Sequence, residues 1–308
     1  MIIESIREGF NLANKNLPLV LVRVAATIIY LVSFFIFLSI PVVIAVTYMG
    51  IDLARAGDML PSFMGNPFEF ISRYLGLVFL VGSAFLLYLT FASVLFLYVL
   101  GGTLGVLRNS AVNIQYRFSL SSFFSEAGRN FGPLFWLVSV ILMAVTGILI
   151  VFVVSGGIIA AAVQTMTGGE GTLSVFFNSF VLVTSIIFSI ILLLGCCIFS
   201  VYSVVVSVID GKGAMESIKR TSDFLKKRPG ALVFYFILLA GIIAINIIFL
   251  ILRVPFSMVP VLAPLMQIVL TLFSSVLQSY LAVVLWSCLI AYYMRGTDYP
   301  VYSSAYEI

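Results

Sequence analysis

Five basic side chains between positions 219 and 228, Lys219, Arg220, Lys226, Lys227 and Arg228, form the densest charge cluster of the chain. Their chemistry is ion pairing with phosphate or carboxylate oxygens, at about 1 kcal/mol per basic residue where they lie beside an anionic leaflet. The sequence predicts that they bind anionic lipid headgroups or dock a cytoplasmic protein; the plainer alternative is that they only enforce topology. A second set is uncharged: Asn246, Gln267 and Gln278 are the clearest amides inside apolar stretches and are candidates for lining a cavity. Packing is the competing role for these amides, and for Asn178, Ser83, Thr90, Tyr88 and Tyr98. Hydrogen bonds between membrane helices average about 0.6 kcal/mol each.

Catalytic constellations are hard to assemble from what remains. The chain has no histidine, which removes Ser/His/Asp and Cys/His arrangements and any His-liganded zinc. Asp52, Asp58, Glu69 and Glu170 are separated by apolar spans and share no metal-ligand spacing. Cys196, Cys197 and Cys288 all fall in apolar stretches without a C-x2-C spacing, so they read as small hydrophobes. The run Gly168 to Gly171 is Gly-Gly-Glu-Gly and lacks the lysine, strand and helix of a phosphate loop. No catalytic residue, cofactor or metal is expected. The net charge of +4 is small and confined to connections, which argues against a nucleic-acid partner.

The elements that must position these residues are membrane helices. Hydrophobic residues make up 62% and charged residues 9% of the 308, with a mean hydropathy of +1.23, where soluble domains carry about 25% charged residues. A crossing takes about 20 apolar residues. Six stretches qualify: Pro18 to Tyr48, Leu75 to Leu107, Pro133 to Gln164, Val175 to Ile209, Gly230 to Leu252, and Val261 to Met294. No Asp, Glu, Lys or His falls near the centre of any of them, and Arg23 lies close enough to one end of the first span to reach headgroups. Lys and Arg crowd alternate connections: Arg7 and Lys15 at the start, Arg108, Arg117 and Arg129 in the second connection, Lys212 to Arg228 in the fourth, and Arg295 near the end. Only Arg55, Arg73 and Arg253 lie on the opposite side. The positive-inside rule then places both termini in the cytoplasm. The acidic residues before the first span, and the length of that span, speak against a cleaved signal peptide. On the far side, Phe63, Phe68, Phe70 and Tyr74 around Pro61 and Pro67 suggest a loop anchored at the membrane surface.

A short amphipathic stretch precedes every second span and ends at a proline. The first sets Ile2, Ile3, Ile6, Phe10, Ala13 and Leu17 against Glu4, Arg7, Glu8, Asn11 and Lys15 before Pro18. The second sets Leu120, Phe123, Phe124, Ala127 and Phe131 against Ser122, Ser125, Glu126, Arg129 and Asn130 before Pro133. The third sets Met215, Ile218, Ser222 and Leu225 against Glu216, Lys219, Arg220, Asp223 and Lys226 before Pro229. Each proline suits the first turn of the helix that follows. The expected fold is an all-α integral membrane protein whose six transmembrane helices form three tandem units, each an interfacial amphipathic helix plus a helical hairpin. It is one membrane domain over 1–308, with pseudo-repeats at 1–115, 116–212 and 213–308. Whether the units close into a threefold bundle stays open at this point. Gly101 with Gly105, Gly156 with Ala160, and Ala240 with Ala244 are small-xxx-small pairs that favour close helix approach.

Glu8-Gly9-Phe10 with Lys15-Asn16-Leu17-Pro18, and Met215-Glu216-Ser217-Ile218 with Lys226-Lys227-Arg228-Pro229, resemble a group of six-span prokaryotic membrane proteins. That group is related to the membrane domain attached to some glycerophosphodiester phosphodiesterases. The resemblance covers most of the chain, and no appended phosphodiesterase domain is present, so no catalytic residue carries over. It implies a multi-pass protein of the bacterial or archaeal inner membrane concerned with lipids or the envelope. The expected function is non-catalytic handling of lipid or another apolar amphiphile, as a transporter-like or transport-associated component with membrane lipids as partners. A scaffold or accessory subunit that docks other membrane or cytoplasmic proteins is the alternative.

Overall fold

The computed structural model describes residues 1–48, 75–113, 115–166, 172–257 and 263–297, together with a few positions between 64 and 72. The aromatic loop from Gly50 to Tyr74 and the turn at Gly168 to Gly171 therefore lie largely outside the described residues. All regular structure among the described residues is helical. The elements are α1 (Ile2–Lys15), α2 (Pro18–Phe34), a π-helical turn (Phe35–Ser39), α3 (Ile40–Tyr48), α4 (Leu75–Val112), α5 (Leu120–Met166), α6 (Thr172–Asp210), α7 (Ala214–Lys227), α8 (Gly230–Ser257) and α9 (Ala263–Gly296). Among the described residues, six helical segments are long and apolar enough to cross a membrane: Pro18–Ile44, Val78–Val112, Leu120–Ile158, Ser179–Asp210, Gly230–Pro255 and Val269–Gly296. This is a polytopic membrane protein of six helical spans.

The π-helical turn has a local cause. Pro41 has no N–H to give to the carbonyl four residues earlier, and its ring crowds that carbonyl. Widening the preceding turn accommodates this, with the Ile40 N–H reaching back five residues to the Phe35 oxygen. Pro133 behaves differently from expectation: it lies inside the single 47-residue helix α5 and does not open a new one. The reason is packing. Phe123, Ala127, Asn130, Leu134 and Leu137 form one buried seam, spaced by alternating steps of four and three, that passes Pro133 without changing phase. That seam lies on the glycine face of α4, where a Cβ on Gly102 would stand 2.6 Å from the Phe123 ring and one on Gly105 would stand 2.6 Å from the Glu126 Cβ. At the other two prolines the chain turns, with Asn16 at φ −114° and ψ 35° and Arg228 at φ −132° and ψ 71°.

The amphipathic helices bury small and polar residues alongside part of their hydrophobic sets. In α1 the buried residues are Ser5, Gly9 and Ala13, while Ile3, Phe10 and Leu17 are exposed at a seven-residue spacing. In α7 they are Ser217, Thr221 and Phe224, and Met215 is exposed. In the first turns of α5, Glu126 and Asn130 are buried, and Phe124 is exposed. Small residues let these helices lie directly against other helices, with Ile2, Ile6, Phe123, Ile218 and Phe224 packed at the core and Ile3, Phe10, Phe124 and Met215 turned outward. Helix α1 runs antiparallel to the last turns of α9: Asn14 pairs with Tyr280, Gly9 touches Cys288, and Glu8 pairs with Arg295. The first turns of α5 lie on α4, and α7 lies on α6. Helices α4, α6 and α9 in turn contact one another.

These contacts put the core at one end of the bundle, which we call the hub. Leu100, Leu104 and Leu107 of α4, Tyr202, Val205 and Ile209 of α6, and Leu289, Ile290 and Met294 of α9 meet there, with Ala13, Leu19, Phe123, Phe224 and Phe234 around them. Tyr202 donates its hydroxyl to the Ala231 carbonyl at 2.9 Å, and Phe234 stacks on Tyr292 with ring centroids 4.2 Å apart. Away from the hub the spans are open. In the most apolar stretch of each of the first five spans only 6% is buried, against 22% in the sixth. The ring pairs in these open parts join the two arms of one hairpin: Phe37 with Phe91, Phe152 with Phe188, and Phe249 with Phe273.

Candidate functional site

The basic cluster of α7 is divided by the fold. Arg220 gives one guanidinium nitrogen to Asp210 at 2.7 Å and another to Glu216 at 3.0 Å, so it clasps α7 to the end of α6. Arg228 reaches the Met1 sulfur at 3.4 Å. Lys219, Lys226 and Lys227 remain exposed on the outer side of the helix. Burial works against the Glu216 carboxylate, yet the hydrogen bonds and charges of Lys212 and Arg220 hold it below the usual carboxylate range. The turn into α7 depends on Gly211, whose φ of +63° is the left-handed conformation that side chains other than glycine rarely adopt.

The amides of the late spans are not brought together by interhelical bonds. Asn246 is half-buried and donates to the Ile242 carbonyl of its own helix at 2.9 Å. Gln278 is exposed and donates to Ser274 at 3.2 Å, again within its own helix, and Gln267 is exposed. Ser83 and Thr90 likewise bond carbonyls one turn earlier. Tyr98 does cross, donating to the Phe124 carbonyl at 3.4 Å.

Two buried carboxylates escaped the sequence reading. Glu126 accepts from Asn109 of α4 at 3.0 Å and from Arg129 at 2.5 Å, beside Asn130, which also donates to the Gly101 carbonyl at 3.2 Å. Asp210, with its side chain 2% exposed, accepts from Arg220 and from the Tyr293 hydroxyl at 3.2 Å. A signal was present for the first: Glu126 and Asn130 stand three and seven residues after Phe123, on the phase of the seam. Both lie at the hub, not in the open parts of the spans. Small-xxx-small pairing holds at Gly101 and Gly105, whereas a Cβ on Gly156 would meet nothing within 4 Å.

A half-open cavity lies between the α1–α2 elbow and the α4–α5 connection, where Lys15, Pro18, Gln115, Tyr116, Arg117 and Phe118 line about 660 Å³; Tyr116 and Phe118 are half-buried and the other four are exposed. Buried Asn16 fixes the elbow, donating to the Ser110 hydroxyl of α4 at 2.9 Å and to the Leu12 carbonyl at 2.8 Å. Across the gap the Asn113 side chain accepts the Gln115 N–H at 2.9 Å, and its carbonyl accepts the Tyr116 N–H at 3.1 Å. Lys15 donates to that same carbonyl at 3.4 Å, and partial burial lowers the pKa of its ammonium. The Tyr116 hydroxyl is buried and has no hydrogen-bond partner.

Comparison with known proteins is blank. The chain matches no family model, no curated protein and no solved structure. What the site can do must come from its own chemistry. No group of His, Cys, Asp and Glu among the described residues is placed to hold a metal ion. The hub offers cations beside a cavity and exposed lysines on α7, whereas the open spans offer apolar surface broken only by hydroxyls and amides that mostly bond their own helix.

Proposed function

We propose that this protein handles lipid or another apolar amphiphile, without catalysis, as a transporter-like or transport-associated component of a prokaryotic inner membrane, built from three tandem units with its hub end in the cytoplasm. One observation carries the reading: the spans are packed at the hub and left unpacked beyond it. Apolar side chains such as Phe85, Val153, Ile187, Ile248 and Phe273 stand exposed along arms whose ring contacts stay within each hairpin. Surfaces of this kind must be covered by apolar chains in the bilayer, and lipid tails between hairpins would cover them at no cost in desolvated polar groups. The excess of Lys and Arg at the hub end supports the orientation.

The test is lipid retention. Protein purified through successive detergent exchanges should keep several lipid molecules, seen by native mass spectrometry, and should lose thermal stability when stripped of them. A stripped protein as stable as the original would remove the reading. The same exposed arms suit docking of partner helices, which supports the scaffold as a second reading. Stable co-purification of a membrane partner from mild detergent, with no lipid retained, would select it.

A further inference from the structure

The cavity at the first elbow has a composition that the proposed function does not use. Its six lining residues carry two positive charges and no negative one. Gln115 adds an amide donor, while Pro18 and Phe118 supply an apolar wall. The volume of about 660 Å³ falls within the range of about 300–1,000 Å³ that holds organic ligands, and it is far larger than a bare ion needs. Its position is also specific. Lys15 stands at the last residue of α1 and Pro18 at the first of α2, so the opening lies level with the start of the first span. The two cations are set on separate elements: Lys15 precedes Asn16, which bonds Ser110, and Arg117 follows the turn in which Asn113 accepts from Gln115 and Tyr116.

We propose that this cavity binds an anionic phosphate-bearing group through Lys15 and Arg117, with Gln115 as a further donor. A phospholipid headgroup and free inorganic phosphate share that chemistry. The lipid source rests on the lipid-handling reading above; the site itself does not. A headgroup entering here would place its glycerol against Pro18 and Phe118 and its tails along the first span.

The experiment uses the full chain in detergent, with dioleoyl phosphatidylglycerol, dioleoyl phosphatidylcholine and inorganic phosphate as probes and native mass spectrometry and thermal shift as readouts. The wild type should prefer phosphatidylglycerol to phosphatidylcholine. A Lys15→Gln/Arg117→Gln variant should lose about 30-fold in affinity for phosphatidylglycerol, the loss expected for two interfacial cations. A Lys219→Gln/Lys226→Gln/Lys227→Gln variant should keep it, and the charge-preserving Lys15→Arg/Arg117→Lys variant separates lost binding from lost folding. Stabilisation by inorganic phosphate that vanishes in the Lys15→Gln/Arg117→Gln variant, with no lipid retained by either protein, would uphold the site while removing the lipid reading. Equal retention of both lipids by wild type and that variant would overturn the site and leave the lipid reading intact. Absence of any effect of all three probes would overturn both.

Discussion

Replacing Gly9 by alanine tests the contact on which the docking of α1 depends. A Cβ at Gly9 would stand 2.5 Å from the Cys288 Cα and 2.7 Å from the Cys288 N, where carbon atoms normally rest about 3.5–4.0 Å apart. Both obstructing atoms belong to the backbone of α9, so no rotamer change relieves the clash. Helix α1 must move outward by about 1 Å. Overpacking of this kind costs about 1–3 kcal/mol, and the helix propensity gained on replacing glycine returns about 1 kcal/mol. The expected net loss is up to about 2 kcal/mol, on the order of 3 °C or less in thermal midpoint for a chain of this size. Gly128 on α5 is the control, since a Cβ there would meet nothing within 4 Å; Gly128→Ala should stabilise by about 0.5–1 kcal/mol. Thermal unfolding in one detergent would compare the two, and maleimide labelling of buried Cys288 in a Cys196→Ala/Cys197→Ala background would report whether α1 has lifted. If Gly9→Ala proves as stable as Gly128→Ala and Cys288 stays protected, the close approach of α1 to α9 is wrong.

Arg295 grips Glu8 through Nε, at 2.7 Å, and Nη2, and reaches Glu4 through Nη1. Arg295→Lys cannot reproduce that fork, so it should cost about 1 kcal/mol in thermal stability and raise Cys288 labelling despite the conserved charge; unchanged labelling would show that charge alone suffices. Gly211→Ala should destabilise by about 1–2 kcal/mol through backbone conformation alone, because a Cβ there meets nothing within 4 Å, and a midpoint equal to wild type would contradict the left-handed turn. The lowered Glu216 pKa has a defined sign. Its contribution is present above the unfolded carboxylate pKa and is lost as pH falls through the folded value. Protease cutting at the α6–α7 turn should therefore quicken on acidification in wild type and less so in Glu216→Gln.

The spans were legible because twenty-residue apolar runs have few other meanings, and the structure keeps all six with ends shifted by several residues. The faces of the amphipathic helices were legible only in part. The ridges marked as interfacial are split, with Ile2, Ile6 and Ile218 packed at the core and Ile3, Phe10 and Met215 exposed, while helix contact also selected Ser5, Gly9, Ser217 and Thr221. A hydrophobic ridge and a packing seam are the same thing in water but different things in lipid, where small residues win close contacts and large apolar ones can stay outside. Pro133 misled for a related reason, since a proline signals a break only where nothing packs across it. The elbow cavity had no sequence signal: Lys15 and Arg117 are 102 positions apart and come to line one cavity where Asn16 bonds Ser110 and Lys15 bonds the Asn113 carbonyl.

The acidic residues at the hub act as clasps, and their exposure differs enough to be separated by salt. Glu4 and Glu216 have side chains 61% and 47% exposed, whereas Glu126 and Asp210 are 9% and 2% exposed. Ion pairs between exposed groups weaken as the Debye length falls from about 30 Å at 0.01 M to about 3 Å at 1 M, and buried pairs are much less affected. The three seams should then loosen unequally. Raising salt over that range should speed amide hydrogen exchange in α1, whose clasp includes exposed Glu4. It should have less effect on α7, where exposed Glu216 is backed by buried Asp210, and almost none on the first turns of α5, held by buried Glu126 and the glycine face of α4. Equal acceleration in all three would mean that the carboxylates are not what distinguishes the seams and that apolar packing alone holds the hub.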